Sequence, residues 1–415
     1  MADKRPLMSL DEALARLVAG ARAHPITETR TVSTFDALQR VLAAPVVSAL
    51  DVPPADNTSM DGYALHAADV GTAGTVLPVM QRIPAGVVGQ PLARGTAARI
   101  FTGAQVPAGA TAVVMQEQCE AIAGDGLGAV RVNIVPAAGQ WIRRRGEDVV
   151  RGATVLAAGT RLTPQALGLA ASVGAGALEV RRQPRVALFS TGDELVMPGE
   201  PLKPGAIYNS NRFTLRGLLQ VAGCEVSDFG IVPDRRDATV DALRAAAVGH
   251  DLILTSGGVS TGDEDHIRPA VEAQGWIENW QLAIKPGKPL AFGGLNRADG
   301  GTTLFIGLPG NPVSSFVNFL LAVAPVLRVM QGGEAALPRG VALRADFDWP
   351  RPDRRREFLR VRFNHRGALE LFANQSSGVL TSAVWGDGLV DNPAGQAISR
   401  GETVRFLSFA ELMER

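Results

Sequence analysis

Three loops rich in glycine and hydroxyl side chains carry the residues best suited to chemistry. They read STGDEL at 190–195, SGGVSTGDED at 256–265 and GLPGNPVS at 307–314, and each follows a short apolar run. Glycine turns expose backbone amides, and the positive end of a helix dipole favours negative charge, so such loops suit an anion. They match neither the GxxxxGK[ST] phosphate loop nor GxGxxG, which disfavours ATP hydrolysis and dinucleotide binding. We therefore predict a phosphate-bearing ligand.

Carboxylates crowd two of these loops. The first contains Asp193 and Glu194, and the second contains Asp263, Glu264 and Asp265. Acids beside an anion repel it unless they hold a divalent cation against it or accept hydrogen bonds from its amino groups. Mg²⁺ takes only one or two protein carboxylates, so not every acid needs to be a ligand. Helix capping and turn formation would explain any single acid, but the set favours a role in binding.

Two lysines lie in a turn that proline and glycine make stiff. The turn reads AIKPGKPL at 283–290 and contains Lys285 and Lys288. Lysines held by a rigid loop suit an oxyanion, whereas lysines on a flexible surface are usually only solvated. The turn therefore indicates a second group of anion-binding residues.

Polar residues in the flanking segments allow more than one interpretation. Asp61 and Thr102 stand in the turn-rich stretches PPADNTSMDGYAL and RIFTGAQVPAGA, where either a tight loop or a binding role would account for them. Arg360 alternates with apolar residues in REFLRVRF, which predicts an outward-facing charge on a strand, and Ser377 lies in the short motif NQSSG. The histidines form no HxxxH pair and GxSxG is absent, so no nucleophilic triad is predicted.

Composition indicates an ordinary soluble protein of several domains. The 415 residues are too many for one hydrophobic core, and 41 basic against 41 acidic side chains give no reason to expect nucleic-acid binding. Cys119 and Cys224 are widely separated, so neither a disulfide framework nor a zinc site is indicated and a cytoplasmic location is predicted. The most apolar stretch, 317–330, is shorter than the ~20 residues that span a bilayer, so we predict a buried helix and no membrane association.

The first half of the chain predicts helices followed by an insertion. Helices are expected near 9–22 and 34–43, the first with the capping-box pair Ser9 and Glu12. From Asp51 to about 142, short β-like runs alternate with turn residues, which predicts an inserted β domain. Its strands are expected at 75–80, 97–101, 112–115 and 129–135.

From Arg185 onward the periodicity changes. The apolar runs RVALFS, EVSDFGIV, DLILTS and TTLFIG alternate with helical patterns at 211–222, 238–247 and 265–273. This alternation predicts an α/β domain with a mostly parallel sheet covered on both faces. Asn211 is the expected N-cap of one helix, and Asn311 before Pro312 begins another. Loops at the carboxyl ends of parallel strands converge, so we expect the three glycine loops to meet in one crevice. The segment 336–412, with EFLRVRF and TVRFLSF, predicts a C-terminal β domain.

A series of strings in order along almost the whole chain carries a family resemblance. These strings are SMDGYA at 59–64, RIFTGAQVPAGATAVV at 99–114, RRRGED at 143–148, STGDEL, YNSN at 208–211, SGGVSTGDED, IKPGKP and GLPGNPVS. The chain resembles the molybdopterin molybdenumtransferase family, the bacterial MoeA proteins, which are related to the E domains of gephyrin and of its plant counterpart. Several such strings in order are far more specific than any single loop.

The resemblance implies an elongated subunit of four parts. They are a discontinuous N-terminal domain (6–50 and 143–182), the inserted β domain (51–142), a molybdopterin-binding α/β domain (183–332) and a C-terminal β-barrel-like domain (336–412). It also implies a homodimer in which the inserted domain of one subunit brings Asp61 and Thr102 to the crevice of the other, forming a composite active site. Molybdopterin adenylyltransferase and downstream cofactor-biosynthesis proteins are expected partners.

The resemblance also assigns roles to individual residues by motif. Catalytic roles pass to Asp61, Thr102, Glu194, Asp234, Asp265, Lys285 and Lys288. Substrate binding passes to Gly192, Asp193, Ser256, Gly257, Gly258, Ser260, Gly262, Pro309, Gly310, Asn311, Pro312 and Ser314. Molybdate would contact Lys288, Ser314, Arg360 and Ser377, and Mg²⁺ would contact Asp193, Glu194, Asp263 and Asp265. One departure from the family is Gln281, where some relatives have lysine.

The implied reaction takes adenylylated molybdopterin and molybdate, releases AMP with the help of Mg²⁺ and leaves molybdenum on the dithiolene sulfurs. Positioning and charge neutralisation would suffice, without a covalent enzyme intermediate. One alternative is molybdopterin adenylyltransferase, whose fold resembles the α/β region but which generally lacks the N-terminal and C-terminal β modules. Another is a dimeric scaffold of the gephyrin type. A generic sugar-phosphate or nucleotide binder would explain the loops but not the ordered strings.

Overall fold

The computed structural model of this chain describes residues 7–259, 266–335 and 337–414. The predicted site residues Ser260, Gly262, Asp263 and Asp265 lie outside these ranges. The described part divides into four groups of elements that follow the sequence pattern.

The N-terminal group combines two helices and two short strand pairs. Helix α1 (Leu10–Ala23) begins after Ser9, whose hydroxyl accepts a hydrogen bond from the backbone N–H of Glu12 at 3.1 Å, so the predicted N-cap is confirmed. Helix α2 spans Pro164–Ser172. The strand pairs are antiparallel and join Thr29–Ser33 to Ala177–Arg181 and Val46–Val47 to Thr154–Leu156.

The predicted helix at 34–43 is wrong. Only a 3₁₀ turn forms, at Thr34–Asp36, and Gln39 then adopts a φ of 64°. The backbone N–H groups of Gln39 and Leu42 donate to the carbonyls of Leu162 and Thr160. Pairing with the segment that follows the insertion therefore overrides the helical propensity of this stretch.

The insertion is an all-β domain, as predicted. A short antiparallel pair, Asn57–Thr58 with Ile142–Arg143, joins its two ends. Its strands form a six-stranded sheet and span Gly62–Leu65, Thr75–Ile83, Ala97–Ile100, Ala112–Met115, Cys119–Ile122 and Ala129–Val132. The four predicted strands are all present, with ends that differ by up to a few residues.

The central sheet has six strands, numbered here along the chain. They are β1 (Arg185–Thr191), β2 (Glu225–Val232), β3 (Leu252–Ser256), β4 (Gly275–Gln281), β5 (Pro289–Asn296) and β6 (Thr302–Leu308). The order across the sheet is β2-β1-β3-β6-β5-β4. The first four in this order are parallel, as predicted, while β5 and β4 extend the sheet in antiparallel fashion. The connection after β1 leads to β2 on one side of it, and the connection after β2 crosses to β3 on the other side. The carboxyl ends of β1 and β3 therefore form a topological switch point, where ligands bind in such sheets.

Helices cover both faces of this sheet. They are α3 (Ser210–Val221), α4 (Arg236–Ala247), α5 (Ile267–Glu272), α6 (Pro312–Asn318) and α7 (Ala324–Met330). Leu188 packs in the cluster that includes α1, α3, α6 and α7, and its neighbour Phe189 packs in the cluster that includes α4 and α5. Side chains alternate along a strand, so one apolar run supplies both cores. The prediction of a sheet buried on two faces is confirmed.

Helices α6 and α7 are continuous through a π-helical turn at Phe319–Val323. Within the described residues, this 312–330 helix is long and apolar enough to cross a membrane by length and composition alone, yet 89% of its most apolar window is buried inside the protein. The prediction of a buried helix is therefore confirmed.

The C-terminal group is a β domain with two short helices. Its strands span Val341–Arg344, Arg356–Phe363, Leu369–Leu371, Gly388–Asn392 and Thr403–Ser408, and its helices are α8 (Thr381–Trp385) and α9 (Phe409–Glu414). The short strand Ile284–Lys285 pairs in parallel with Arg356–Phe363. The lysine turn of the α/β domain therefore joins the sheet of the C-terminal domain.

Candidate active site

The glycines after β3 lie where no side chain fits. Gly257 and Gly258 have φ values of 88° and 63°. A Cβ atom on Gly257 would lie 2.7 Å from the carbonyl oxygen of Thr191, and one on Gly258 would lie 2.7 Å from Cγ1 of Ile267. The backbone of this loop consequently runs against the end of β1, at the switch point of the sheet.

A network of buried hydroxyl and amide side chains joins the strand ends. The hydroxyls of Ser190 and Ser256 share a hydrogen bond of 3.1 Å. Asn209 caps α3 by accepting a hydrogen bond from the backbone N–H of Arg212 at 3.1 Å, and Asn211 donates to the carbonyl of Gly310 at 2.7 Å. The N-cap of α3 is therefore Asn209, and the prediction of Asn211 is wrong, because Asn211 lies inside the first turn. Neither asparagine is among the predicted site residues, although both lie in the YNSN motif.

The acids of the first loop lie at the same edge. Asp193 accepts a hydrogen bond of 3.0 Å from the backbone N–H of Asp234, which follows β2. Gly192 has a φ of 140°, and a Cβ atom there would lie 2.5 Å from the carboxylate of Glu194. Asp193 and Glu194 are both exposed. Among the residues that the structure describes, no three histidine, cysteine, aspartate or glutamate side chains are grouped to hold a metal ion.

Helix α6 begins at the third loop and meets the C-terminal domain. Pro312 occupies the first turn as predicted, but Asn311, although at the N-cap position, makes no side-chain capping bond. Ser314 is buried, and the hydroxyl of Ser315 donates to the carbonyl of Pro309. The backbone N–H of Val313 donates to the carbonyl of Ser377 at 3.0 Å. This contact brings the NQSSG loop to the N-terminus of α6.

The two lysines of the turn have different surroundings. The ammonium group of Lys285 lies 3.2 Å from the carboxylate of Glu357 and 3.5 Å from that of Asp353. Lys288 is exposed and forms no ion pair within the described part of the chain. The turn itself is held by Asn318 of α6, whose amide donates to the carbonyl of Gly287 at 3.1 Å.

Arg360 does not face outward, so that prediction is wrong. Its side chain is 1% exposed and lies on the face of the strand that also carries Phe358, which packs in the cluster that includes α6 and α7. The guanidinium donates to Ser382 Oγ and the carbonyls of Phe358 and Ser376 at 3.1, 3.1 and 3.2 Å, and no described carboxylate pairs with it. Burial lowers its pKa to about 10, so it remains a cation at neutral pH.

Asp61 and Thr102 form a pair in the inserted domain. The backbone N–H and the hydroxyl of Thr102 both donate to Asp61 Oδ1 at 2.7 Å, and these bonds lower the pKa of the carboxyl. No hydrogen bond or ion pair between described residues links this pair to the loops of the central sheet in the same chain. The structure thus brings the other described site residues to one region and leaves this pair apart.

Models of three protein regions match successive parts of the chain. Residues 8–174 match the MoeA N-terminal region (domain I and II), residues 187–329 match a probable molybdopterin binding domain, and residues 342–409 match the MoeA C-terminal region (domain IV). The three matches follow the same order as the groups of elements described above.

Whole-chain relatives agree with these matches. The chain is 40% identical over 326 residues to the molybdopterin molybdenumtransferase of Haemophilus influenzae, covering 79% of this chain and 78% of that protein. It is 32% identical to the molybdopterin molybdenumtransferase of Bacillus subtilis, covering 99% and 96%. The crystal structure of the molybdopterin biosynthesis moeA protein from Pyrococcus horikoshii OT3 superposes with a TM-score of 0.81 at 29% identity, covering 97% of this chain and 100% of that one. The chain therefore belongs to the MoeA family of molybdopterin molybdenumtransferases, which are transferases of molybdenum cofactor biosynthesis.

Proposed function

We propose that this protein inserts molybdenum from molybdate into adenylylated molybdopterin and releases AMP. The observation that carries the proposal is the buried Arg360 without a carboxylate partner, next to the NQSSG loop that contacts the N-terminus of α6. A buried cation that lacks a counter-ion is costly unless an anion is supplied from outside. Molybdate is a dianion of the size and charge to supply it.

The molybdate site would combine groups from both domains. Arg360 and Ser377 belong to the C-terminal domain, and Ser314 belongs to helix α6. Lys288 lies on the turn that Asn318 of α6 holds, and its ammonium group is not committed to a described carboxylate. A guanidinium, an ammonium and two hydroxyls in fixed positions give the charge-assisted hydrogen bonds that an oxyanion requires.

The phosphates of the substrate would occupy the crevice at the carboxyl ends of β1 and β3. The tight backbone of Gly257 and Gly258 and the N-terminus of α6 suit an anion. Exposed carboxylates on Asp193 and Glu194 fit the needs of Mg²⁺, which takes one or two protein carboxylates plus phosphate oxygens. When bound, the ion would neutralise charge on the phosphates. Asp263 and Asp265, in the same predicted metal set, lie outside the described residues.

The chain's own residues would act by positioning. Backbone amides would orient the phosphoanhydride linkage, so that water can attack the phosphorus on the molybdopterin side while the bridging P–O bond breaks and AMP leaves with the bridging oxygen. Lys285, anchored by Glu357, fixes the turn that carries Lys288. No nucleophilic side chain of the protein is needed.

Asp61 and Thr102 would act on the crevice of a second subunit. Thr102 is exposed and Asp61 is half-buried, the carboxyl has a lowered pKa, and the pair makes no described contact with the crevice of its own chain. A homodimer with composite sites accounts for this. Mixing Asp61→Asn protein with Lys288→Ala protein should then restore about a quarter of wild-type activity, since half of the dimers are mixed and each has one intact site.

The direct test is incubation of the purified protein with adenylylated molybdopterin, Mg²⁺ and molybdate. AMP and molybdenum cofactor should appear together, and omission of molybdate should abolish cofactor formation. Turnover that requires ATP would instead indicate an adenylyltransferase. Stable complexes with other proteins but no molybdenum insertion would indicate a scaffold.

A further inference from the structure

Three buried polar atoms at the switch point have no hydrogen-bond partner among the described residues. They are Thr191 Oγ1, Asn209 Nδ2 and Asn211 Oδ1. Their residues are 5%, 2% and 8% exposed. Thr191 ends β1 beside Gly257 and Gly258, and the two asparagines begin α3. Buried polar atoms are nearly always paired, so three orphans around one ligand-binding crevice indicate that a ligand pairs with them.

The backbone fixes which atom of each asparagine remains unpaired. Asn209 accepts a hydrogen bond from the N–H of Arg212, so its oxygen is engaged and its NH₂ group remains. Asn211 donates to the carbonyl of Gly310, so its nitrogen is engaged and its oxygen remains. A backbone N–H only donates and a carbonyl only accepts, so neither amide can be flipped without loss of a bond. Asn209 thus offers a donor, and Asn211 offers an acceptor.

This combination selects the chemistry of the ligand. An ionised phosphate has acceptor oxygens only and cannot satisfy Asn211. A group that satisfies both must present an acceptor and a donor, as the carbonyl, ring N–H and amino group of a pterin do. The hydroxyl of Thr191 can pair with either kind of atom. Adenine also presents both kinds, but the segment 187–329 matches a molybdopterin binding domain.

We propose that Asn209 and Asn211 bind the pterin ring of the substrate, with Asn209 donating to the ring and Asn211 accepting from it. The inference rests on the proposed function and adds to it two specificity-determining residues. The glycine loops then hold the phosphates, while the start of α3 recognises the heterocycle.

A substitution that preserves the N-cap separates the two roles of Asn209, which caps helix α3 and, in this proposal, donates to the ligand. Serine is as good an N-cap as asparagine, so Asn209→Ser keeps an oxygen for the N–H of Arg212 and removes only the NH₂ group. We expect molybdopterin, titrated by its fluorescence, to bind about tenfold more weakly, the usual loss for one hydrogen bond, with an unchanged melting temperature. Binding of AMP should not change. Asn209→Asp also keeps the cap and is the second variant if the serine protein is unstable.

Thr163→Ser is the matched control, because it alters the hydroxyl cap of α2 outside the switch-point network. It should leave molybdopterin affinity unchanged. Wild-type affinity in both folded Asn209 variants would overturn the inference. Weaker AMP binding with intact molybdopterin binding would assign the asparagines to adenine and overturn the pterin assignment. Failure of the wild-type protein to bind molybdopterin would overturn the proposed function itself, and the inference with it.

Discussion

Two buried arginines in different regions of the molecule have opposite surroundings. Arg182, at the amino end of the central sheet, is 4% exposed and donates to both oxygens of Asp251 at 2.8 and 2.9 Å and to Glu28 at 2.9 Å. Arg360 is as deeply buried and, among the residues that the structure describes, its guanidinium donates to one hydroxyl and two backbone carbonyls and to no carboxylate. The hydrogen bonds that Arg182 donates to Asp251 raise the pKa of Arg182, whereas burial lowers that of Arg360.

The contrast separates a charge that stabilises the fold from a charge that can bind a ligand. A buried ion pair that is complete within the chain satisfies itself and leaves no affinity for a ligand. A buried cation without a counter-ion carries the free-energy cost of desolvation without the attraction that would offset it. The fold retains such a cation only if an anion from outside the chain provides the missing charge. On this criterion we assign Arg182 to the fold and propose that Arg360 binds the anion.

The largest expected effect is on stability, at Arg182. Arg182→Met should lower the free energy of unfolding by about 3–5 kcal/mol, because Asp251, whose side chain is only 15% exposed, loses its cation. Activity per folded molecule should remain normal. Urea unfolding together with turnover corrected for the folded fraction tests this. A stable variant with reduced turnover would reverse the roles that we assign to the two arginines.

Arg360 should show the opposite pattern. Arg360→Met should reduce molybdate-dependent cofactor formation by at least about 100-fold, since one preorganised donor is lost. Its free energy of unfolding should not decrease, because an uncompensated buried cation is removed. The matched control is Arg362→Met on the same strand, where the arginine is exposed and paired with Glu370. Loss of activity that only follows loss of folded protein would refute the binding role.

Lys285 combines features of the two arginines. It is a predicted catalytic residue, and its ammonium group is also paired with carboxylates of the chain. Glu357 is fully buried and accepts from Lys285 at 3.2 Å, from the Trp349 indole at 2.8 Å and from the Asp353 N–H at 3.1 Å. Glu357→Gln keeps an oxygen for the last two and loses the charge that holds Lys285. The turn that carries Lys288 should loosen, and half-saturation by molybdate should rise about tenfold.

The kinetic readout distinguishes this role from a general loss of structure. The KM for molybdate should increase more than kcat decreases, and the affinity for molybdopterin should be unchanged. Glu370→Gln, which removes the charge of a half-buried acid of the same domain, is the control. If kcat alone fell, Lys285 would act on the chemical step and not through the position of the turn.

Local sequence patterns predicted much of the fold. Apolar runs such as RVALFS identified the parallel strands, and Pro312 marked the start of α6. Strands β4 and β5 were missed because GWIENWQ mixes charged, amide and aromatic residues and PLAFGGLN contains two glycines, so neither run has a strand signature. The segment 34–43 has helical periodicity, but its backbone pairs with distant residues. Patterns within a segment cannot show which remote segment will compete for its hydrogen bonds.

The candidate site was predictable where it depends on backbone geometry. The glycine loops lie at strand ends as expected, since alternating strands and helices fix where loops converge. The sequence did not show whether each charged side chain is paired or buried. Whether Lys285 is paired and Arg360 is buried depends on how the C-terminal sheet packs against the α/β domain. Asn209 and Asn211 appeared in a quoted motif, but only the packed structure shows which of their atoms lack partners.

The smallest expected effect concerns the acid limb of the pH profile. The pKa of Asp61 is lowered chiefly by the backbone N–H of Thr102 and then by its hydroxyl. Thr102→Val removes the hydroxyl and keeps the N–H, so the pKa should move part of the way back up towards its ordinary value. If the ionised Asp61 is the active form, activity should then be lost at a higher pH than in the wild type, while the Thr102→Ser variant should match the wild type. Turnover measured from about pH 2.5 to 6 tests this, and an unmoved acid limb would mean that another group controls it. Two hydrogen bonds from Thr102 stabilise Asp61 within its own domain, so it should tolerate the loss of one donor with only this modest change.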